Sequence, residues 1–162
     1  MRQRPLFKAI VSLFVVTALS LSAESGAAAE SPASQCASVG NDDQVRPIPP
    51  GLVGQAMRLF DLMTEDAGWA KESTAYRCMS GSVWLCNYGA NLLCAKADTW
   101  RSMPSVAAYC KQNPNDEVVP MVVTGHGVNH FWGCVHGKPR INETEEVDER
   151  GFIANQWKRL GP

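Results

Sequence analysis

Apolar residues recur at two different spacings along this 162-residue chain. Between residues 51 and 63 they recur every three or four positions, which predicts a short amphipathic helix. A second short helix is predicted from Ser102, which can cap it, to Cys110, with Pro104 in its first turn, where helices accept proline. Elsewhere β-branched and aromatic residues form short runs separated by turn residues, a pattern typical of antiparallel strands.

Three pairs of these runs predict β-hairpins. The first covers residues 74–88 and turns near Ser80-Gly81; the second joins 117–124 to 128–135 around Gly125-His126-Gly127; the third joins 140–147 to 152–160. Pro120 favours an edge position for its strand, because proline donates no ladder hydrogen bond. The predicted fold is therefore α+β: a small antiparallel sheet of three β-hairpins with two short helices, stapled by three disulfides.

The first 29 residues have the pattern of a secretory signal peptide. A basic head with Arg2, Arg4 and Lys8 precedes an apolar run, and small residues ending at Ala29 follow. The apolar run is shorter than the roughly 20 residues needed to span a bilayer. We expect a signal peptide at 1–29, a Pro-rich N-terminal arm at 30–50, and a single disulfide-rich α+β domain at 51–162.

The charge balance of the remaining chain limits its partners. The whole chain has 15 Lys and Arg and 16 Asp and Glu; three of the basic residues and one acidic residue lie in the first 29 positions. The rest is therefore net acidic and has no basic stripe, which argues against nucleic-acid binding. No later run is long and apolar enough to cross a membrane. We find no cofactor motif and expect no cofactor.

All six cysteines follow the predicted cleavage site: Cys36, Cys78, Cys86, Cys94, Cys110 and Cys134. An even number in a small exported chain predicts three disulfides. In the first hairpin Cys78 and Cys86 would lie roughly 10–13 Å apart, beyond the limit of about 7 Å for a disulfide, so each must pair elsewhere. Cys86 with Cys94 is a short closure that this geometry permits, and Cys36 is expected to tie the N-terminal arm to the domain. Other connectivities stay open.

The three histidines, His126, His130 and His136, lie close together in the sequence. Histidine is a frequent ligand of copper and zinc, so a periplasmic copper- or zinc-binding protein that uses His126 and His130 is one alternative function. On an extended strand these two residues are about 13 Å apart, and His130 and His136 about 20 Å. One metal ion held by all three is therefore not expected.

A small secreted hydrolase is the other alternative, with His126 and Asp98 as its best residues. A hydrolase needs a nucleophile beside an oriented base. Ser80-Gly81-Ser82 is a turn by pattern and does not match the strand–helix elbow of nucleophilic serines. The cysteines are better used as bridges, so we predict no catalytic residue.

Five carboxylates cluster near the predicted tip of the third hairpin: Glu143, Glu145, Glu146, Asp148 and Glu149. Such a run is either a solvated loop that aids solubility or an acidic patch that speeds the encounter with a basic protein partner. The second interpretation makes these five residues candidates for partner binding.

Several short motifs are distributed over most of the chain after the predicted signal. They are Gly40-Asn41-Asp42-Asp43, Arg46-Pro47-Ile48-Pro49, Tyr76-Arg77-Cys78-Met79, Gly89-Ala90-Asn91-Leu92 with Cys94, Lys96-Ala97-Asp98, Pro120-Met121, Val123-Thr124-Gly125-His126, Trp132 with Cys134, and Gly137-Lys138-Pro139. This arrangement resembles a group of small exported six-cysteine proteins of Gram-negative bacteria that has no assigned activity. The resemblance implies export and the six-cysteine pattern.

A second resemblance is to the periplasmic inhibitors of chicken-type lysozyme. It is carried by Tyr76-Arg77-Cys78 and by the late Cys134, and it concerns the fold alone. The small exported domain, the absence of a recognisable catalytic site and the acidic run beside an edge-prone sheet lead us to expect a periplasmic or secreted, non-enzymatic binding or inhibitor-like protein.

Reduction of the disulfides is expected to unfold the protein or nearly so. Each bridge contributes about 2–4 kcal/mol, and the whole stability of such a domain is about 5–15 kcal/mol. The measurement is the thermal unfolding curve with and without a reductant. Identical curves for the oxidised and fully reduced protein would contradict the disulfide framework.

Overall fold

The computed structural model describes residues 30–63, 65, 67–89 and 93–161, so the predicted signal peptide lies outside the described residues. The helices are α1 (Pro32–Val39), α2 (Val53–Phe60), α3 (Ala67–Ser73), α4 (Pro104–Gln112) and α5 (Met121–Thr124). The strands are β1 (Asp42–Pro47), β2 (Thr74–Met79), β3 (Ser82–Asn87), β4 (His130–Val135), β5 (Lys138–Thr144) and β6 (Lys158–Arg159). Short 3₁₀ turns span Pro50–Leu52 and Ala154–Gln156.

The strands form two antiparallel units. Four of them make a sheet in the order β1-β2-β3-β6, and β4 pairs with β5 in a separate two-stranded ribbon. The predicted class is confirmed: an α+β fold on antiparallel strands, stapled by three disulfides. The two predicted helices correspond to α2 and α4.

The first predicted hairpin is confirmed as β2 and β3. Its turn is formed by Ser80 and Gly81, whose φ angles of 51° and 71° belong to the left-handed region. Positive φ at both central residues is what a type I′ turn requires, and the twist of that turn matches the twist of the flanking strands. Ala75 lies opposite Cys86, and Cys78 lies opposite Val83. Cys78 and Cys86 are therefore too far apart along the ladder to bond, as predicted.

The pairing predicted for the second hairpin is wrong. Residues 121–124 form one helical turn, α5, and β4 pairs instead with β5 across a turn at His136-Gly137. These two turn residues have φ angles of 50° and 76°, so the tight turn lies here and not at Gly125-His126-Gly127. Residues 116–119 still run along β4: the N–H of Val119 donates to the carbonyl of Trp132 (2.7 Å).

The third predicted hairpin is only partly present. Val147 and Ile153 form an isolated antiparallel bridge, but residues 140–144 belong to β5 in the ribbon. The chain end pairs as β6 with β3, with Trp84 opposite Arg159 and Leu85 opposite Lys158. The C-terminal segment therefore closes the four-stranded sheet.

Residues 30–50, predicted as a Pro-rich arm, contain regular structure that the prediction did not include. They form α1, capped by the side chain of Ser31, and the edge strand β1, which pairs with β2. Cys36 of α1 is bonded to Cys78 of β2, with a Cα–Cα distance of 5.0 Å. The prediction that Cys36 ties this segment to the domain is confirmed.

Each of the three disulfides lies in its own cluster of buried apolar side chains. Cys36–Cys78 belongs to the cluster under α2, Cys86–Cys94 to the cluster with Phe152 and Trp157, and Cys110–Cys134 to the cluster between α4 and the ribbon. The short closure of Cys86 with Cys94 is thus confirmed. Three buried disulfides are compatible with an extracellular or periplasmic protein.

None of the helices in the described part of the chain has the length and apolar character that a membrane crossing requires.

Arg77 on β2 is the largest fully buried side chain among the described residues. Its guanidinium forms an ion pair with Asp148 and stacks on the rings of Phe152 (4.0 Å to the centroid) and Trp157 (4.7 Å). The two rings also meet edge to face at 5.5 Å. Because a buried charge is costly unless it is paired, these contacts fix the C-terminal segment against the sheet.

Asp148 is itself held by backbone groups. Its carboxylate accepts hydrogen bonds from the N–H groups of Arg150 (2.8 Å) and Phe152 (3.0 Å) as well as from Arg77. Burial acts to raise the pKa of Asp148, but the hydrogen bonds from Phe152, Arg77 and Arg150 outweigh it, and the pKa is lowered. The carboxylate is therefore the stable form beside Arg77.

We expect Arg77→Met to lower the free energy of unfolding by about 3 kcal/mol, because it leaves Asp148 without its buried cation and removes both ring contacts. Urea denaturation of the oxidised protein measures this change. The matched control is Arg46→Met, which breaks the more exposed ion pair with Asp42 and should lower the free energy of unfolding much less. Equal effects of the two substitutions would contradict the structural role of Arg77.

A second carboxylate, Asp43 on β1, gives a prediction for acid stability. Side-chain hydrogen bonds from Arg150 (2.7 Å) and Lys96 (2.7 Å) lower the pKa of Asp43 from 3.8 to about 2. The unfolded chain therefore binds the proton more tightly, so this stabilisation is present above pH 3.8 and is lost as the pH falls to about 2. We expect Asp43→Asn to flatten the pH dependence of the unfolding free energy in this window, measured by urea denaturation.

The control for Asp43 is Asp61→Asn, at an exposed carboxylate just after α2. This variant should keep the slope of the native protein between pH 3.8 and about 2. Unchanged pH dependence in Asp43→Asn would show that the contacts with Lys96 and Arg150 do not stabilise the fold.

Candidate functional site

A small enclosed cleft of about 90 Å³ lies where the β4–β5 ribbon meets the C-terminal segment. Three parts of the chain build it: α5 with the loop that follows, the start of β4, and the C-terminal residues around the 3₁₀ turn at Ala154–Gln156. The lining residues used below are Met121, His126, His130, Phe131, Trp132, Glu145 and Gln156.

The local sequence explains how the cleft wall forms. Along β4, His130 and Trp132 are buried, with 4% of their surface exposed, whereas Phe131 between them is 39% exposed. A bulge between Phe131 and Trp132 interrupts the ladder with β5, so the strand bends at the cleft. On the opposite side Gly125, with φ at 86°, ends α5 and turns the chain toward His126.

Three buried polar atoms of the cleft residues have no hydrogen-bond partner within the described part of the protein: His130 Nε2, Trp132 Nε1 and Gln156 Oε1. The other ring nitrogen of His130, Nδ1, is hydrogen-bonded to Thr144 Oγ1 at 2.9 Å. The imidazole also meets the indole of Trp132 edge to face at 6.1 Å. These atoms have almost no accessible surface, so the fold leaves them unpaired within the packed walls of the cleft and does not present them to its interior.

Glu145 adds a carboxylate to the cleft wall. Asn129 holds its backbone in place: the N–H of Glu145 donates to Asn129 O (2.8 Å), and Asn129 Nδ2 donates to Glu145 O (3.0 Å). One carboxylate oxygen, Oε1, accepts from Asn155 Nδ2 at 2.9 Å. The position of this charge is therefore fixed by the fold and does not depend on a flexible loop.

Glu145 and Gln156 also line a second, wider depression of about 420 Å³. Its other lining residues are Phe60, Leu62, Asn87, Asn155 and Lys158. Because two side chains are shared, the cleft and this depression lie side by side. We call the pair the groove, and it offers one enclosed end and one open end.

The predicted histidine site is partly assembled. His126 and His130 both line the cleft, His126 from the exposed loop after α5 and His130 from the buried face of β4. His136 lies apart, exposed at the β4–β5 turn with φ at 50°. Among the described residues no three His, Cys, Asp or Glu side chains form a group that could hold a metal ion. A copper or zinc site would have to rest on two histidines, and that hypothesis stays a prediction.

Asp98, the other hydrolase candidate, lies next to the loop of His126 through its backbone. Its N–H donates to Gly127 O (2.7 Å), and its carbonyl accepts from the N–H of Asn129 (3.1 Å). Its carboxylate, however, accepts from the N–H of Trp100 at 3.1 Å. No hydrogen bond joins Asp98 to His126 among the described residues, so the structure shows no base held by an orienting acid there.

The five carboxylates of the acidic run have different environments. Glu143, Glu146 and Glu149 are exposed, and Glu145 is half-buried at the cleft. Asp148 instead pairs with buried Arg77 and caps two backbone N–H groups. Its place in the fold makes Asp148 a structural residue, which removes it from the group that is free to meet a partner.

Two residues of the cleft were not recognised as site residues from the sequence. Trp132 is buried like a packing residue, and its Nε1 has no hydrogen-bond partner among the described residues. Gln156 gave no sequence signal, because a single glutamine near the chain end has no distinctive pattern. Only the packing of the C-terminal segment brings it to His130 and Trp132.

Comparison of the chain with protein-family models, with curated proteins and with solved structures finds no match.

Proposed function

We propose that this protein is a periplasmic or secreted, non-enzymatic binding or inhibitor-like protein whose partner is a basic protein. The observation that carries the proposal is the cleft, which Glu145 lines together with the exposed apolar residues Met121 and Phe131. Binding surfaces commonly combine such a pocket with an apolar centre and a charged rim.

The surface around the cleft has the apolar component that a partner needs. Met121 and Phe131 line the cleft and are 38% and 39% exposed, and Val122 on α5 is 90% exposed. Single exposed apolar residues are ordinary, but Met121 and Phe131 line the same cleft, and Val122 follows Met121 on α5. This clustering favours a protein partner, because burial of apolar area drives most protein association.

The acidic residues supply the charge for a basic partner. Glu143 is paired directly with Phe131 across the ribbon, so the two side chains project from the same face. Glu146 is held near the 3₁₀ turn, because its carbonyl accepts from the N–H of Ala154 (2.9 Å). With Glu145 these residues border the cleft with negative charge, which attracts a basic surface and raises its association rate.

Export is part of the proposal. Three disulfides require an oxidising compartment to form and persist, and residues 1–29 have the pattern of a secretory signal. A periplasmic or secreted location would also place the protein where basic lytic enzymes act.

The proposal predicts that neutralising the exposed carboxylates weakens binding of a basic protein. The variant is Glu143→Gln, Glu146→Gln and Glu149→Gln combined, which leaves Asp148 and the fold intact. Biosensor measurements against a panel of basic lytic enzymes that includes chicken-type lysozyme should show association slowed roughly tenfold. Each exposed charge pair contributes about 0.2–1 kcal/mol, and rim charges act mainly on the association rate. The effect should shrink at high NaCl.

The matched control removes the same charge elsewhere: Glu30→Gln, Glu72→Gln and Asp116→Asn, all at exposed positions that do not line the groove. This variant should bind like the native protein. Equal weakening in both variants would mean that net charge alone acts, and absence of binding to every basic protein in the panel would overturn the proposal.

A further inference from the structure

We infer that an extended backbone segment of the partner adds to the sheet at Asn87, where β3 continues beyond the end of β6. The inference rests on the proposed function, because the segment belongs to the partner proposed there. It is carried by the hydrogen-bond register of β3 and by the wider depression of the groove, which Asn87 lines.

The register of β3 determines which of its backbone groups face each neighbouring strand. Alternate residues of a strand direct their N–H and C=O groups to opposite sides. The N–H of Tyr88 donates to the carbonyl of Ser73 (2.7 Å), so Tyr88 faces β2 and Asn87 faces away from β2. On the other side, the carbonyl of Val83 accepts from the N–H of Leu160 (2.9 Å). Val83 and Asn87, four residues apart, therefore both direct their backbone groups to the side of β6.

The strand β6 is too short to cover this edge completely. It places Lys158 opposite Leu85, so a longer strand would place Gln156 opposite Asn87. Gln156 instead ends the 3₁₀ turn Ala154–Gln156. No hydrogen bond between described residues reaches the backbone N–H or C=O of Asn87. The edge of β3 is therefore paired as far as Leu85 and open at Asn87.

The wider depression lies where the next residue of β6 would be. Its volume is about 420 Å³, and it is lined by Asn87 together with Gln156 and Lys158, the neighbours of Asn87 on the side of β6. An open strand edge is a template for an extended peptide. The peptide backbone supplies a carbonyl for the N–H of Asn87 and an N–H for its carbonyl.

Side-chain alternation defines the residue that would lie opposite Asn87. Directly opposed residues of a sheet share a face. Val83 and Leu85, at alternate positions before Asn87, belong to the buried cluster that includes Phe60 of α2. The added residue would therefore point its side chain to the α2 face, where Phe60 and Leu62 line the depression. A β-branched apolar side chain such as valine suits this position.

The charges at the depression favour a segment without net charge. Glu145 and Lys158 both line it, so a basic segment would meet an ammonium group and an acidic segment a carboxylate. The ammonium of Lys158 is held on the α2 face, because Nζ donates to Leu59 O (3.3 Å) and lies 5.0 Å from the ring centroid of Phe60. The basic residues of the proposed partner therefore lie outside this depression, opposite the exposed carboxylates of the acidic run.

The first test measures amide hydrogen exchange of the free protein by ¹H–¹⁵N NMR. After correction for intrinsic rates, the N–H of Asn87 should exchange at least tenfold faster than that of Leu85, which points to the same side but is covered by β6. Equal protection of the two would overturn the open edge. Protection of Asn87 that rises with protein concentration would assign the edge to a second copy of the chain and overturn the partner segment.

The second test titrates the neutral peptide acetyl-Thr-Val-Thr-amide and follows the amide signal of Asn87. The signal should shift saturably, with a dissociation constant on the order of millimolar for so small a ligand. N-methylation of the valine removes the N–H that would pair with the carbonyl of Asn87 and should weaken binding roughly tenfold. The matched control is N-methylation of the second threonine, whose N–H would point away from the sheet, and it should bind like the parent peptide. No shift with the parent, or equal binding of the two methylated peptides, would overturn the inference.

Leu62→Ala tests the apolar wall without altering the backbone of β3. It should weaken binding of the valine peptide roughly fourfold, the loss expected for one buried methylene group. The matched control is Met63→Ala, at the next residue, which is 63% exposed and does not line the depression. The dispersion of the amide signals verifies that each variant is folded. Native binding by Leu62→Ala would overturn the placement of the valine on the α2 face.

The third test uses a basic protein of the panel that binds the native protein in the biosensor measurement. Its binding should slow the exchange of the Asn87 amide at least tenfold. Binding that leaves this exchange unchanged would overturn the inference and leave the proposed function intact. Binding of the valine peptide at Asn87 without binding of any basic protein would overturn the basic partner and support the open edge as a peptide site.

Discussion

The buried guanidinium of Arg77 is the constraint on which the position of the cleft depends. A charge in the protein interior is stable only when paired, and here the pairing comes from Asp148, Phe152 and Trp157, all in the C-terminal segment. In the sequence, Gln156 and its 3₁₀ turn lie between Phe152 and Trp157, the two aromatic residues that contact Arg77. The contact that neutralises one buried charge thus also fixes a side chain at the cleft.

A disulfide, Cys110–Cys134, fixes the position of β4, the strand that forms the other wall of the cleft. Cys110–Cys134 joins α4 to β4 inside the same buried cluster that contains Trp132. Gly133, between Trp132 and Cys134, has no room for a side chain, because a Cβ there would lie 2.5 Å from Glu117 O. Residues 116–119 are therefore pressed against the ribbon, and the indole is held in one place. One bridge per cluster suits a small domain, whose apolar core alone gives limited stability.

The elements that the sequence predicted well are those with local causes. Helical spacing located α2 and α4, and the left-handed pair Ser80-Gly81 located the first hairpin. The second predicted hairpin is misplaced because Gly125 ends the helical turn α5, and the left-handed pair His136-Gly137 forms the two-residue turn instead. Strand spacing alone separates His126 from His130, because it treats both as residues of one extended strand. The bend at Gly125 instead brings the two histidines to the same cleft.

The sequence by itself determined the class of fold, the bridging of all six cysteines and the candidate acidic run, because these follow from composition, spacing and turn chemistry. Only the tertiary structure decided which strands pair, that Asp148 is bound by Arg77, and that Gln156 joins His130 and Trp132. The physical reason is sequence separation: contacts between β2 and residues 148–157 are made by packing and charge pairing across the domain, and no local pattern encodes them.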